Sequence, residues 1–145
     1  MSLPSPQPGL VIRYSYLWQL EALEGHEEGA KDRPCAIVVA VRDQSQQTRI
    51  YALPITHTPP SLPSLGIEIP RPVKVRLNLD SDRSWIIVSE ANAFTWPGPD
   101  LRPAPGQGLE TVAYGFLPPG FFKVVRDRYL AYDAERRGRV IARTE

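Results

Sequence analysis

Lys31 to Val41 reads KDRPCAIVVAV: a charged triplet, a proline and then an unbroken apolar run. The run is rich in β-branched residues, has the length of a strand and does not alternate. It therefore predicts a strand covered on both faces. Pro34 has no N–H to give, which predicts that this end of the strand is unpaired or an edge. The triplet poses the functional question. Either Lys31, Asp32 and Arg33 mark the rim of a loop, or a rigid strand holds one arginine at the floor of a site.

On the N-terminal side, LVIRYSYL from Leu10 to Leu17 has β-branched and aromatic residues in near alternation and predicts a strand. WQLEALEGHEEGAKD is acidic and reads as an exposed loop with a helical turn at its start. On the C-terminal side, RDQSQQT is a polar turn and RIYALPIT a strand, which predicts a hairpin with the central run. HTPPSLPSLG is a proline-rich loop. IEIP and VKVRLNL alternate and predict strands, LDSDRS a turn, and WIIVSEA another strand. NAFTWPGPDLRPAPGQGLE predicts a surface loop, and TVAYGFL a last short strand. Pro118 and Pro119 then open a helix with Phe122, Val125, Tyr129 and Tyr132 on one face and Gly138 as its stop.

Sixteen prolines, mostly between apolar runs, argue against a helix bundle. The expected fold is mainly β: about five to seven short strands in a small, strongly curved barrel with a C-terminal helix. A chain of 145 residues fits one domain. We expect a flexible lead-in over residues 1–8, one domain over 9–138 and a basic tail over 139–145.

Composition narrows the function classes. No apolar run is long enough to span a membrane, and MSLPSPQPGL lacks the pattern of a signal peptide. The lone cysteine, Cys35, allows no internal disulfide, which suits a reducing cytoplasm. It also excludes a metal site of paired cysteines, and His26 and His57 lie too far apart in sequence to suggest zinc. The formal charge of +1 does not announce a nucleic-acid binder. Yet 14 of the 17 basic residues are arginine, the better partner for phosphate. Glu21, Glu24, Glu27 and Glu28 crowd one segment, and Arg136, Arg137, Arg139 and Arg143 another; as sequence, both read most simply as solvated surface.

Three pieces, in order, resemble the PemK/MazF family of bacterial toxins. They are Gly9 leading into LVIRYSYLW, the Arg-Pro step opening DRPCAIVVAV, and the strand ending LPITHT from Leu53 to Thr58. The likeness covers about the first 60 residues. It implies an SH3-like barrel that forms a homodimer, is inhibited by a small antitoxin protein, and cuts single-stranded RNA without metal or other cofactor. It also implies that Arg33 and Thr56 form the catalytic pair, with the RNA 2′-hydroxyl as nucleophile.

The residue types fit such chemistry. The cleavage passes through a crowded, negatively charged phosphorane, which a fixed guanidinium stabilises by paired, charge-assisted hydrogen bonds. A threonine hydroxyl adds one more donor. Arginine is a poor base, so His57, beside Thr56, is the candidate for moving the proton. It shares the site only if the strand has ended before it, because successive strand residues point to opposite faces. Lys31, Thr58 and Trp96 are candidates for holding RNA, Trp96 as an exposed platform for a base.

Each residue also has a plain structural role open to it. Arg33 can pair with Glu27, Glu28 or Asp32, Thr56 can serve strand propensity, and His57 can be an exposed loop residue. Trp96 and Trp85 can pack, and Cys35 reads as core. At the level of function, the alternative is a non-catalytic SH3-like module that binds protein or nucleic acid.

Overall fold

The computed structural model describes residues 3–25, 31–106, 111–136 and 140–143. His26, Glu27, Glu28, Gly29, Arg137, Gly138 and Arg139 lie outside the described residues.

Strand β2 (Arg33–Arg42) occupies the centre, antiparallel to both β1 (Leu10–Tyr14) and β3 (Thr48–Thr56). Its Cys35 and Ile37 enter one core cluster with Ile12, Ile50 and Phe94. Its Ala36 and Val38 enter the other, with Leu53, Ile86 and Val88. Both faces are covered, as the unbroken apolar run requires. The β2–β3 hairpin closes through Asp43, whose Oδ1 accepts from the N–H groups of Ser45 and Gln47 at 2.9 and 3.0 Å.

The free edge expected at Pro34 is absent, since Pro34 stands opposite Arg13 of β1. The opening lies on the other side. β3 stays on β2 only as far as Pro54, opposite Cys35. It then leaves for β5 (Trp85–Ile87), with Ile55 opposite Ile86 and Thr56 opposite Trp85. The strands fork there, and prolines at 34 and 54 leave no N–H to satisfy at the fork.

β4 (Gly66–Glu68) pairs with β5, and β7 (Ala113–Phe116) with β1. β6 (Ala91–Thr95) joins the first half of β3, and β8 (Val140–Ala142) lies parallel to β6. The described residues thus form one eight-stranded sheet, antiparallel except at β6–β8. The main path runs β4-β5-β3-β2-β1-β7, and its two ends are not paired. The sheet is therefore not closed into the expected barrel. The fork gives β3 two further partners, β5 and β6, so the sheet branches where a barrel would close.

Two segments differ from expectation in type. VKVRLNL is not a strand: residues from Arg71 to Arg76 form helix α2, with Val73 and Leu77 buried and Val75 69% exposed. Alternation and helical spacing share positions 73 and 77, and Val75 on the outside decides for the helix. NAFT is not loop but most of β6, where Ala91, Asn92, Ala93 and Phe94 are all buried. Small side chains allow this close packing while giving little hydrophobic signal. Strand β1 also ends at Tyr14, earlier than Leu17.

The last helix, α3 (Pro119–Arg136), buries Val125 and Tyr129 against the sheet, with Phe122 partly buried on the same cluster. Gly9, at φ +94°, takes a backbone conformation that other residues rarely adopt, and its N–H reaches the Ile37 carbonyl at 2.8 Å. Within the expected basic tail, β8 extends the sheet and Arg143 is buried. The Arg143 guanidinium donates to the Ser15 carbonyl, to Asn92 Oδ1 and to Asp100 Oδ2 at 2.8, 2.7 and 3.0 Å, so it is an anchor and not a solvated charge. No helix among the described residues is long and apolar enough to cross a membrane.

Candidate functional site

The fork sets the site. β2 and β3 part after the pair of Cys35 with Pro54, two residues short of Arg33 on one strand and of Thr56 on the other. Alternation puts Arg33 on the face of Cys35 and Thr56 on the face of Pro54, so both project from one side of the sheet. Among the described residues no strand pairs with both of them. Instead two adjoining hollows of about 550 and 560 Å³ open there, and Lys31, Arg33, Thr56 and His57 line both.

Arg33 is held in an unusual way. Its guanidinium carbon lies 5.0 Å from the centroid of the Trp18 ring. Its Nε is buried without a hydrogen-bond partner, and among the described residues no carboxylate lies within ion-pair distance of it. Asp32, one of the partners considered for it, stands 3.7 Å from Arg102. A ring face fixes a cation without consuming its N–H donors, so among the described residues nothing acidic competes with an anion for the guanidinium fork.

Thr56 is the last residue of β3, and its Oγ1 accepts the Thr58 N–H at 3.1 Å, turning the chain. The strand has ended before His57, so alternation does not carry His57 away from Thr56. Thr58 lines the first hollow as well. Five of the six residues singled out in the sequence thus meet at one place. Trp96 does not: it lines neither hollow and packs on Phe94, ring centroids 6.3 Å apart. Trp85 is buried in the core.

The two hollows differ in chemistry. The first has apolar walls from Trp18, Pro59, Pro60, Leu65 and Ile87, with Ser89 and Glu90 at one side. The second adds Arg13, Asn78, Asp80 and Tyr114 to the side chains that the two share. Glu90 Oε2 accepts from the Tyr16 hydroxyl and the Gln19 N–H, both at 3.0 Å. Burial, and then the Glu90 charge, push the Tyr16 hydroxyl well above its ordinary pKa. Glu90 carries no local sequence signal beyond being an acid after an apolar strand. Trp18 carries one, the Glu three residues on: Glu21 Oε1 accepts the Trp18 N–H at 3.1 Å.

His57 Nε2 lies 2.7 Å from Asp80 Oδ2. Asp80 Oδ1 in turn accepts from Lys74 Nζ at 2.7 Å. Burial tends to raise the Asp80 carboxyl, but hydrogen bonds and charge from Lys74 and His57 outweigh it and hold the group below the usual carboxylate range. His57, Asp80 and Asp82 are the group among the described residues whose donor atoms come close enough to share a cation. The Lys74 ammonium already occupies Asp80, and its charge opposes a metal there. Cys35 is fully buried, and burial pushes its thiol well up despite three nearby arginines, so it is no thiolate nucleophile.

Comparison with known protein families and with curated proteins finds no match for this chain.

Proposed function

We propose that this chain is a metal-independent endoribonuclease of the PemK/MazF type, acting on single-stranded RNA and held inactive by a small antitoxin. On this reading the open sheet is an elaborated SH3-like arrangement, and the protein works in the cytoplasm as a homodimer. The observation that carries it is that Arg33 and Thr56 line the same two hollows where β2 and β3 fork.

One phosphodiester sits between the hollows. The Arg33 fork and the Thr56 hydroxyl donate to its non-bridging oxygens and strengthen their grip as charge grows on the phosphorane. The 2′-oxygen bonds to phosphorus and gives its proton to His57. The bond to the 5′-oxygen breaks, and that oxygen takes a proton from water. The products are a 2′,3′-cyclic phosphate and a 5′-hydroxyl. Lys31 and Thr58 hold the flanking backbone. An unpaired base lies in the first hollow against Trp18, which takes the role expected of Trp96.

Incubation of single-stranded RNA with purified protein in excess chelator tests this. The expected fragments carry cyclic phosphate and 5′-hydroxyl ends. Intact RNA together with RNA or protein binding that Thr56→Ala leaves unchanged would instead indicate a non-catalytic binding module.

A further inference from the structure

Lys74 is only 5% exposed, an expensive position for an ammonium. It lies in α2, outside the sheet strands, and its Nζ donates to Asp80 Oδ1, to the Asp82 carbonyl and to Ser84 Oγ. Three acceptors satisfy its three donors, so both the ammonium and the Asp80 carboxylate are fixed in place. Asp80 then presents its other oxygen to His57 Nε2 at 2.7 Å. We propose that Asp80, clamped by buried Lys74, is a positioning residue that locks His57 as its Nε2–H tautomer and leaves Nδ1 to receive a proton in the hollow.

The argument is one of donors and acceptors. An ionised carboxylate only accepts, so the nitrogen facing it must carry the hydrogen. In the neutral ring the other nitrogen is then the basic one. Among the described residues, the other charged groups around His57 are Lys31 and Arg33, which line both hollows with it, Glu90 in the first, Arg13 and Asp32 in the second, and the Asp82 carboxylate, within 4.8 Å of a ring nitrogen. Near Asp80, Asp82 contributes its backbone N–H to Asp80 Oδ1 at 3.2 Å. Lys74 offsets the carboxylate, so Asp80 orients the ring without taking the proton itself.

The catalytic use of this lock rests on the ribonuclease reading, but the lock itself does not. Imidazole ¹⁵N spectra of the full chain above the histidine titration, with His26→Gln leaving a single ring, read the tautomer directly. The expected spectrum shows His57 with the hydrogen on Nε2. Asp80→Ala is expected to relax it to a mixture, and Lys74→Met to loosen it in part. A wild-type ring carrying its hydrogen on Nδ1, or an Asp80→Ala spectrum identical to wild type, overturns the proposal. In cleavage assays Asp80→Ala is expected to lower kcat about tenfold or more, to leave KM near its wild-type value and to shift the pH–rate profile. Absence of cleavage by the wild type would count against the ribonuclease reading, while the spectra still decide the lock.

Discussion

Arg33 is held by a ring face and, among the described residues, by no carboxylate: the Trp18 ring centroid lies 5.0 Å from its guanidinium carbon. Trp18 and Trp96 therefore separate by assay. Trp18→Ala is expected to raise KM for RNA about 5- to 150-fold, the loss of one stacked base. Trp96→Ala should lower thermal stability through its Phe94 packing and leave KM unchanged. Thr56→Val keeps the shape of a strand-end residue and removes its donor. A drop in kcat of about 10² is the expected result. Asp80 carries a pH signature: its folded-state pKa is depressed, so its contribution to stability is present above about pH 4. That contribution is lost as pH falls through the lower folded value, and acid titration of unfolding by circular dichroism for wild type and Asp80→Asn checks it. Tyr129 works at the other end. Burial, helped by Asp133, pushes it up to about 12, so its contribution is full below about pH 10 and is lost as pH rises toward 12.

Elements show where sequence reasoning reached and where it stopped. The central strand, its hairpin and the last helix were legible because their signals are local: an unbroken apolar run, an Asp-led polar turn, and Val125 and Tyr129 four apart. Helix α2 was ambiguous because VKVRL satisfies period two and helical spacing together, although Pro70 and Pro72 already mark a helix start. The ambiguity gives a clean test. Val75→Asp should change stability by less than about 0.5 kcal/mol, and Val73→Asp should cost about 3 kcal/mol or more. A strand would put both residues on one face and make the two costs alike. β6 hid because alanines and a buried asparagine pack closely without a hydrophobic pattern; Asn92 is held by Leu17 and Arg143, which lie far from it in sequence. β8 hid for a similar reason: a three-residue strand takes its position from its partner β6 and from the Arg143 anchor.

For the whole molecule, the decisive feature is the fork in β3, and no local signal encodes it. The sequence shows Arg33 and Thr56 at strand ends, but the departure of Ile55 and Thr56 to β5 depends on pairing with residues about thirty positions away. The same branching keeps the sheet open. A second long-range tie, Arg143 with Asp100, joins the final strand to the loop after β6, with both side chains buried. Removing one partner of such a pair leaves a buried charge, so Arg143→Ala should cost about 3–5 kcal/mol by denaturant melts. The central claim is that one guanidinium at the fork grips a phosphate during its displacement. The direct measurement is the first-order rate of single-stranded RNA cleavage in chelator by wild type and by Arg33→Ala, each shown folded by its melting curve. The account predicts a loss of about 10²–10³ in rate for the variant. Equal rates from the two folded proteins would contradict it.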